Sequence, residues 1–168
     1  LLKDLDDLIQ ERLDALLFSN PQRINYYERY QAIIEEYNSE QDRATIEKTF
    51  MDLIDLAKSM DQEEQRYVRE GFSSDEELSV YDLLFSENLT KQEIETIKKV
   101  SVDLLTKIKQ QIAKLDHWTD KQETKAIVDN LIRNTLWQEL PNSYDVSDIQ
   151  TYQKKIYEYV YMRYPEVA

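Results

Sequence analysis

One glycine, Gly71, and three prolines, Pro21, Pro141 and Pro165, are all that this 168-residue chain has for turning its backbone outside helices. Strand proteins use Gly and Pro at their turns, so a fold of many short strands has almost nothing here to turn with. Leu, Glu, Lys and Gln are abundant instead, and all favour helix. The expected class is all-α: a multi-helix bundle of about seven helices with one long central helix.

Apolar spacing and cap signals divide the chain. A first helix, about Asp4 to Phe18, carries Leu5, Leu8, Ile9, Leu13, Leu16 and Leu17 on one stripe. Asn20–Pro21 ends it, because the residue before a proline resists the α region. A second helix runs to about Tyr37 with Ile24, Tyr27, Tyr30, Ile34 and Tyr37 at three- and four-residue steps. A third, about Asp42 to Met60, presents Ile46, Phe50, Leu53, Ile54, Ala57 and Met60. Asp61-Gln62-Glu63-Glu64 reads as a capping box that opens a fourth helix, or else the third kinks and continues. Gly71 supplies the left-handed residue that closes that segment.

Two further capping boxes follow. Ser74-Asp75-Glu76-Glu77 opens a short helix through Leu84, and Thr90-Lys91-Gln92-Glu93 opens the longest one, to about Lys114. Its seam is Ile94, Ile97, Ser101, Leu104, Ile108, Ile112 and Leu115. Asp116-His117-Trp118 connects to a helix from about Asp120 to Glu139, closed by Pro141, and a last helix begins at Ser147 or Asp148 and ends before Pro165. The chain reads as a single helical domain over 1–168, with a weak joint near 85–89 where the charge balance changes.

That charge is unevenly spread. The formal net charge is −13; residues 1–84 carry 9 Lys+Arg against 21 Asp+Glu, and residues 85–168 carry 12 against 13. The acidic half repels phosphate backbones and is either a solvated face or a docking surface for a basic partner. No apolar run approaches the length of a membrane span. The opening LLKDLDDL is amphipathic and acidic, unlike a secretory signal, and no Met precedes it, so a cytoplasmic fragment of something longer is expected. The absence of cysteine excludes a disulfide scaffold and a Cys-type zinc site.

Strings that invite a catalytic reading fail on context. Asp75-Glu76-Glu77-Leu78 looks like a helicase acidic box, but that carboxylate belongs at the end of a buried strand. In a helix's first turn the same acids offset the macrodipole. Glu123-Thr124-Lys125 has a nuclease-like spacing, yet residues two apart on a helix point to different sides. One glycine cannot build a phosphate-cradling loop or a calcium-binding helix–loop–helix. No catalytic residue, metal ligand or cofactor is expected.

Contact surfaces are the remaining candidates. Trp118, beside His117 at a helix junction, is either a core plug or a protein-contact anchor, and Trp137 poses the same alternatives. Six of the twelve tyrosines lie between Tyr144 and Tyr164. In the last helix Tyr157, Tyr161 and Tyr164 fall beside or opposite a face formed by Tyr152, Ile156, Tyr159 and Val160. A helix aromatic on more than one side is sandwiched or touches something outside the domain. The long helix bears Lys91, Lys98, Lys99, Lys107, Lys109 and Lys114 against Glu93, Glu95 and Asp103, a local +3 with no interleaved arginine or aromatic.

Several strings together resemble the helical C-terminal region of type I restriction enzyme R (motor) subunits. They include RYQAIIEEYN (29–38), RATIEKTFMDLIDLAKSMDQEEQRYVREG (43–71), DEELSVYDLL (75–84), NLTKQEIETIKKVSVDLL (88–105), DHWTDKQETKAIV (116–128) and LPNSYDVSDIQTYQKKIYEYVYMRYP (140–165). The Asp-x-Trp junction carries an extra residue, His117, and Lys125 stands where arginine is expected. The resemblance implies a parent that joins nuclease and ATP- and Mg²⁺-dependent motor domains to this region. It also implies assembly with methyltransferase and specificity subunits, and DNA contact only through that complex. The segment itself would be a non-catalytic dock and brace. A stand-alone acidic helical adaptor is the alternative.

Overall fold

The computed structural model describes residues 1–40 and 42–166, and every regular element among them is helical. The order is α1 (Leu2–Ser19), a 3₁₀ turn (Pro21–Arg23), α2 (Ile24–Ser39), α3 (Arg43–Glu64), α4 (Arg66–Arg69) and α5 (Asp75–Leu84). Then come α6 (Lys91–Ala113), a second 3₁₀ turn (Trp118–Asp120), α7 (Gln122–Glu139) and α8 (Val146–Arg163). The eight helices are close to the seven expected, and the extra one is the four-residue α4. The chain groups into two compact units, Leu1–Ser79 and Val80–Ala168. The division falls inside α5, earlier than the 85–89 joint expected from charge.

Local chemistry explains most boundaries. Thr90 Oγ1 accepts from the Glu93 N–H at 3.1 Å while Glu93 accepts from the Thr90 N–H at 3.1 Å, so the expected capping box opens α6. An unexpected second box opens α8, where Asp145 and Asp148 exchange hydrogen bonds of 2.8 and 3.1 Å. After α4, Gly71 takes φ +86°; its N–H reaches Val68 O and that of Phe72 reaches Tyr67 O, the paired closure that a left-handed residue allows. Of the two readings at Asp61–Glu64 the continuation holds and the capping box does not: α3 runs through Glu64. Asp61 and Glu64, one turn apart on its surface, instead both accept from Arg12 of α1.

In the first unit α3 packs against α1 and α2 around Ile9, Leu13, Leu16, Tyr30, Leu53, Leu56 and Met60. The helical stripes hold at Ile9, Leu13, Leu16, Tyr30, Leu53 and Met60, which are buried, and fail at some of their edges. Leu8, Ile24, Tyr27 and Ile46, expected in the core, are exposed, whereas Thr49 and Leu56 are buried. The Tyr30 hydroxyl donates to Asp6, and burial together with that carboxylate pushes its pKa above the ordinary tyrosine value.

A buried ionic network ties the ends of these helices together. Asn20 caps the Pro21 turn by accepting from the Gln22 N–H at 3.1 Å, which turns Arg23 inward, where it is 2% exposed. Its Nε donates to Glu63 at 2.8 Å, and its two terminal nitrogens donate to the two oxygens of Asp75 at 3.0 and 2.5 Å. Glu63, itself buried, also accepts from Arg66 at 2.9 Å. Asp75 therefore does more than sit in the first turn of α5; it is one jaw of a clamp on a guanidinium. Ser79 Oγ donates to the Ser19 carbonyl at 2.9 Å, joining α5 to the end of α1.

Burial alone raises the Glu63 pKa, but hydrogen bonds from Arg66 and Arg23, with their charges, outweigh it and hold the carboxyl below its ordinary value of 4.5. A depressed folded-state pKa means the unfolded chain binds more protons in that window, so stability falls as pH drops below 4.5 through the folded value. Glu63→Gln should remove part of that acid dependence in urea titrations followed by circular dichroism. At pH 7 the same substitution should cost about 3 kcal/mol, as expected when one partner of a buried ion pair is neutralised.

Candidate functional site

The second unit is built on α7, which packs against both α6 and α8. Ile97, Leu104, Ile108 and Ile112 of α6 are fully or nearly fully buried, as are Val128, Ile132 and Leu136 of α7 and Ile156 and Val160 of α8. The expected α6 seam is therefore correct at Ile97, Ser101, Leu104, Ile108 and Ile112.

The junction after α6 turns without glycine. His117 occupies the left-handed region at φ +47°, and the Asp120 N–H returns to its carbonyl at 3.0 Å. That reversal drives Trp118 into the interior, where its exposure is 0%. The indole N–H donates to the Tyr164 carbonyl at 2.7 Å, satisfying the one polar atom of the ring. The Trp118 carbonyl accepts from Thr124 Oγ1 at 2.6 Å, which ties the junction to the first turn of α7.

Three of the other four candidate contact residues, Tyr157, Tyr161 and Tyr164, meet that indole. The Tyr157 and Tyr161 rings meet it edge-on at 6.0 and 5.8 Å and lie 6.1 Å from each other. Tyr164 contributes its carbonyl, and its ring lies 6.2 Å from Tyr159. Edge-to-face rings at these distances add attraction beyond the area they bury. The fifth candidate, His117, stays largely exposed, with Nε2 3.4 Å from Asp116 and Nδ1 3.3 Å from Glu166. Trp118 is thus the floor of the cluster, and Tyr161, 39% exposed, is its outer surface beside the more exposed Met162.

Cations line the same end of α8. Lys109 Nζ stands 5.5 Å from the Tyr164 ring centre, and the Arg163 guanidinium stands 4.4 Å from that of Tyr159. Burial pulls the Arg163 pKa down despite the two neighbouring phenols. Burial also raises that of Tyr157, with Asp129 adding to the shift.

Elsewhere in the unit Trp137 is about half exposed on α7, and Ile127 of the same helix is exposed too. Tyr144, which composition alone did not single out, is buried and donates to the Leu84 carbonyl, and burial raises its pKa. Lys107, counted among the basic residues of the long helix, is engaged by Asp103 at 2.9 Å and Glu139 at 3.0 Å. Glu123 is exposed in the first turn of α7. Among the described residues no group of three His, Cys, Asp or Glu side chains is placed to hold a metal.

The two tryptophans should be separable in solution. With Trp137→Phe the remaining Trp118 should emit at short wavelength and resist iodide quenching, whereas Trp118→Phe should leave an accessible fluorophore. Trp118→Phe removes the indole hydrogen bond to the Tyr164 carbonyl and should cost about 1–2 kcal/mol in urea unfolding. Trp118→Ala, which also leaves a cavity, should cost about 3–5 kcal/mol.

Comparison with known protein families finds a match over nearly the full length. Residues 1–164 match the family model described as type I restriction enzyme HindI endonuclease subunit-like, C-terminal. No curated protein and no solved structure matches the chain. A match over so much of the sequence shows that the chain belongs to this family of C-terminal domains of type I restriction endonuclease subunits.

Proposed function

We propose that this chain is a non-catalytic docking and bracing segment of a type I restriction endonuclease subunit. In this reading it packs on the subunit's own motor domains and helps hold the subunit to the methyltransferase core and its specificity subunit. ATP and Mg²⁺ serve the motor domains, DNA is engaged through the whole complex, and the segment works in the cytoplasm. Among the described residues no helix is long and apolar enough to cross a membrane.

The observation that carries this reading is the tyrosine cluster on α8. Trp118 anchors the Tyr157 and Tyr161 rings from beneath, while Tyr161 keeps 39% of its surface in solvent and Met162 keeps 65%. A rigid aromatic group with its back packed and its front exposed is the pattern of an interface hot spot. Rings held in place lose little conformational entropy when a partner covers them. His117 flanks the same junction and belongs to the proposed contact.

The test is capture of the chain by the matching methyltransferase core. Tyr161→Ala should weaken capture about tenfold, the effect of losing one hot-spot residue, and should leave the helical circular dichroism signal unchanged. Failure of the unaltered chain to bind, under conditions where the full endonuclease subunit binds, would sink the docking reading.

A further inference from the structure

The outward face of α1 carries apolar side chains that the tyrosine cluster does not account for. Leu8 is 53% exposed and Phe18 64%, although Ile9, Leu13 and Leu16 on the opposite side of the helix complete the core of the first unit. Leu8, Glu11, Ala15 and Phe18 follow one another at steps of three and four residues and are all exposed. They form one stripe, about 15 Å long, on the solvent side. A straight stripe at that spacing is what a second helix packs along.

Charge decides which helix. Glu11 lies within the stripe, and Asp7 and Asp14 border it one turn to either side. All three are exposed, and none has an ion-pair partner among the described residues. The one cation between Asp7 and Phe18 is Arg12. It is already held by Asp61 and, at 3.1 Å, by Glu64, a group whose own net charge is −1. A second copy would set Asp7, Glu11 and Asp14 against the same three carboxylates, and a nucleic acid would meet them with phosphates; both are repelled. A helix with lysine or arginine flanking an apolar stripe meets both the exposed Leu8 and Phe18 and the carboxylates between them.

We infer that the outward face of α1, from Asp7 to Phe18, is a docking site for a positively charged amphipathic helix of a partner protein. This goes beyond the contact proposed for the tyrosine cluster and uses none of its residues. Asp7, Glu11 and Asp14 steer such a helix to the face, and Leu8 and Phe18 hold it, so binding weakens as salt screens the carboxylates.

The experiment uses the intact chain and two synthetic helical peptides of about 18 residues. Both have the same leucine stripe, one with lysine and the other with glutamate on its polar face. By calorimetry at low salt the lysine peptide should bind at least about tenfold more tightly than the glutamate peptide. Glu11→Lys with Asp14→Lys should weaken the lysine peptide by at least about tenfold and tighten the glutamate peptide. Glu28→Lys with Glu35→Lys makes the same charge change at exposed positions of α2 and should bind like the unaltered chain. Leu8→Ser with Phe18→Ser should weaken the lysine peptide while leaving the urea midpoint unchanged. Leu8→Ser alone, a milder change, should also weaken it if the double variant folds poorly.

No binding of the lysine peptide, or equal binding of the two peptides, would overturn the inference. Equal loss in both charge-reversed variants would reduce the effect to diffuse acidity and overturn the site, as would full binding without the Leu8 and Phe18 side chains. A dimer in sedimentation that Leu8→Ser with Phe18→Ser dissolves would make a second copy the occupant and overturn the partner. None of these outcomes bears on capture by the methyltransferase core, so the two readings fail separately.

Discussion

A guanidinium sealed from water must find carboxylates, and Arg23 sets the terms for the first unit. Taking its charge out of solvent is costly unless every donor is met. Glu63 from the end of α3 and Asp75 from the start of α5 meet it, and the Leu16 carbonyl lies within 3.4 Å of Nη1. Helices far apart in sequence are thereby brought to one point by charge, while Leu13, Leu53 and Met60 bring their middles together by burial. The apolar core is tolerant of small shifts; the clamp is not, because a bidentate ion pair loses its geometry when either helix slides.

The second unit ties its helix ends together with an aromatic group instead of an ion clamp. Its turn into α7 has no glycine, so His117 takes the left-handed conformation, and Trp118 is buried behind it. One hydrogen bond to Tyr164 and two edge-on tyrosines then fix the end of α8 to the junction. The same contacts that stabilise the unit leave Tyr161 facing outward on a rigid support. Structure and proposed contact thus share residues, with Trp118 on the structural side and Tyr161 on the surface side.

Much of this was legible in the residues. A near absence of Gly and Pro dictates helices, the Thr90 box opens α6, and Gly71 closes the segment before α5, because each depends on local chemistry. The edges of the stripes were less legible. The α3 stripe admits neighbouring faces that differ by one residue, and only packing against α1 and α2 chooses Thr49 and Leu56 over Ile46. Asp61–Glu64 imitates a cap because the same residue types serve caps and ion pairs, and Arg12, 49 residues away, decides between them. The Arg23 clamp left no sequence signal at all, since its partners lie 40 and 52 positions downstream. In the candidate contact region, spacing placed Tyr157, Tyr161 and Tyr164 on one helix. That the Trp118 indole would be their floor follows from the turn at His117, which sequence spacing does not reveal.

The chain belongs to a family of C-terminal domains of type I restriction endonuclease subunits, and the tyrosine cluster is the contact proposed for its assembly with partners. Hydrogen–deuterium exchange of the chain, alone and with the methyltransferase core, tests that assignment most directly. Docking through this cluster predicts slowed exchange at Asp116–Trp118 and along Tyr157–Tyr164 when the core is added. Unchanged exchange across both segments, with the chain bound to the core, would contradict it.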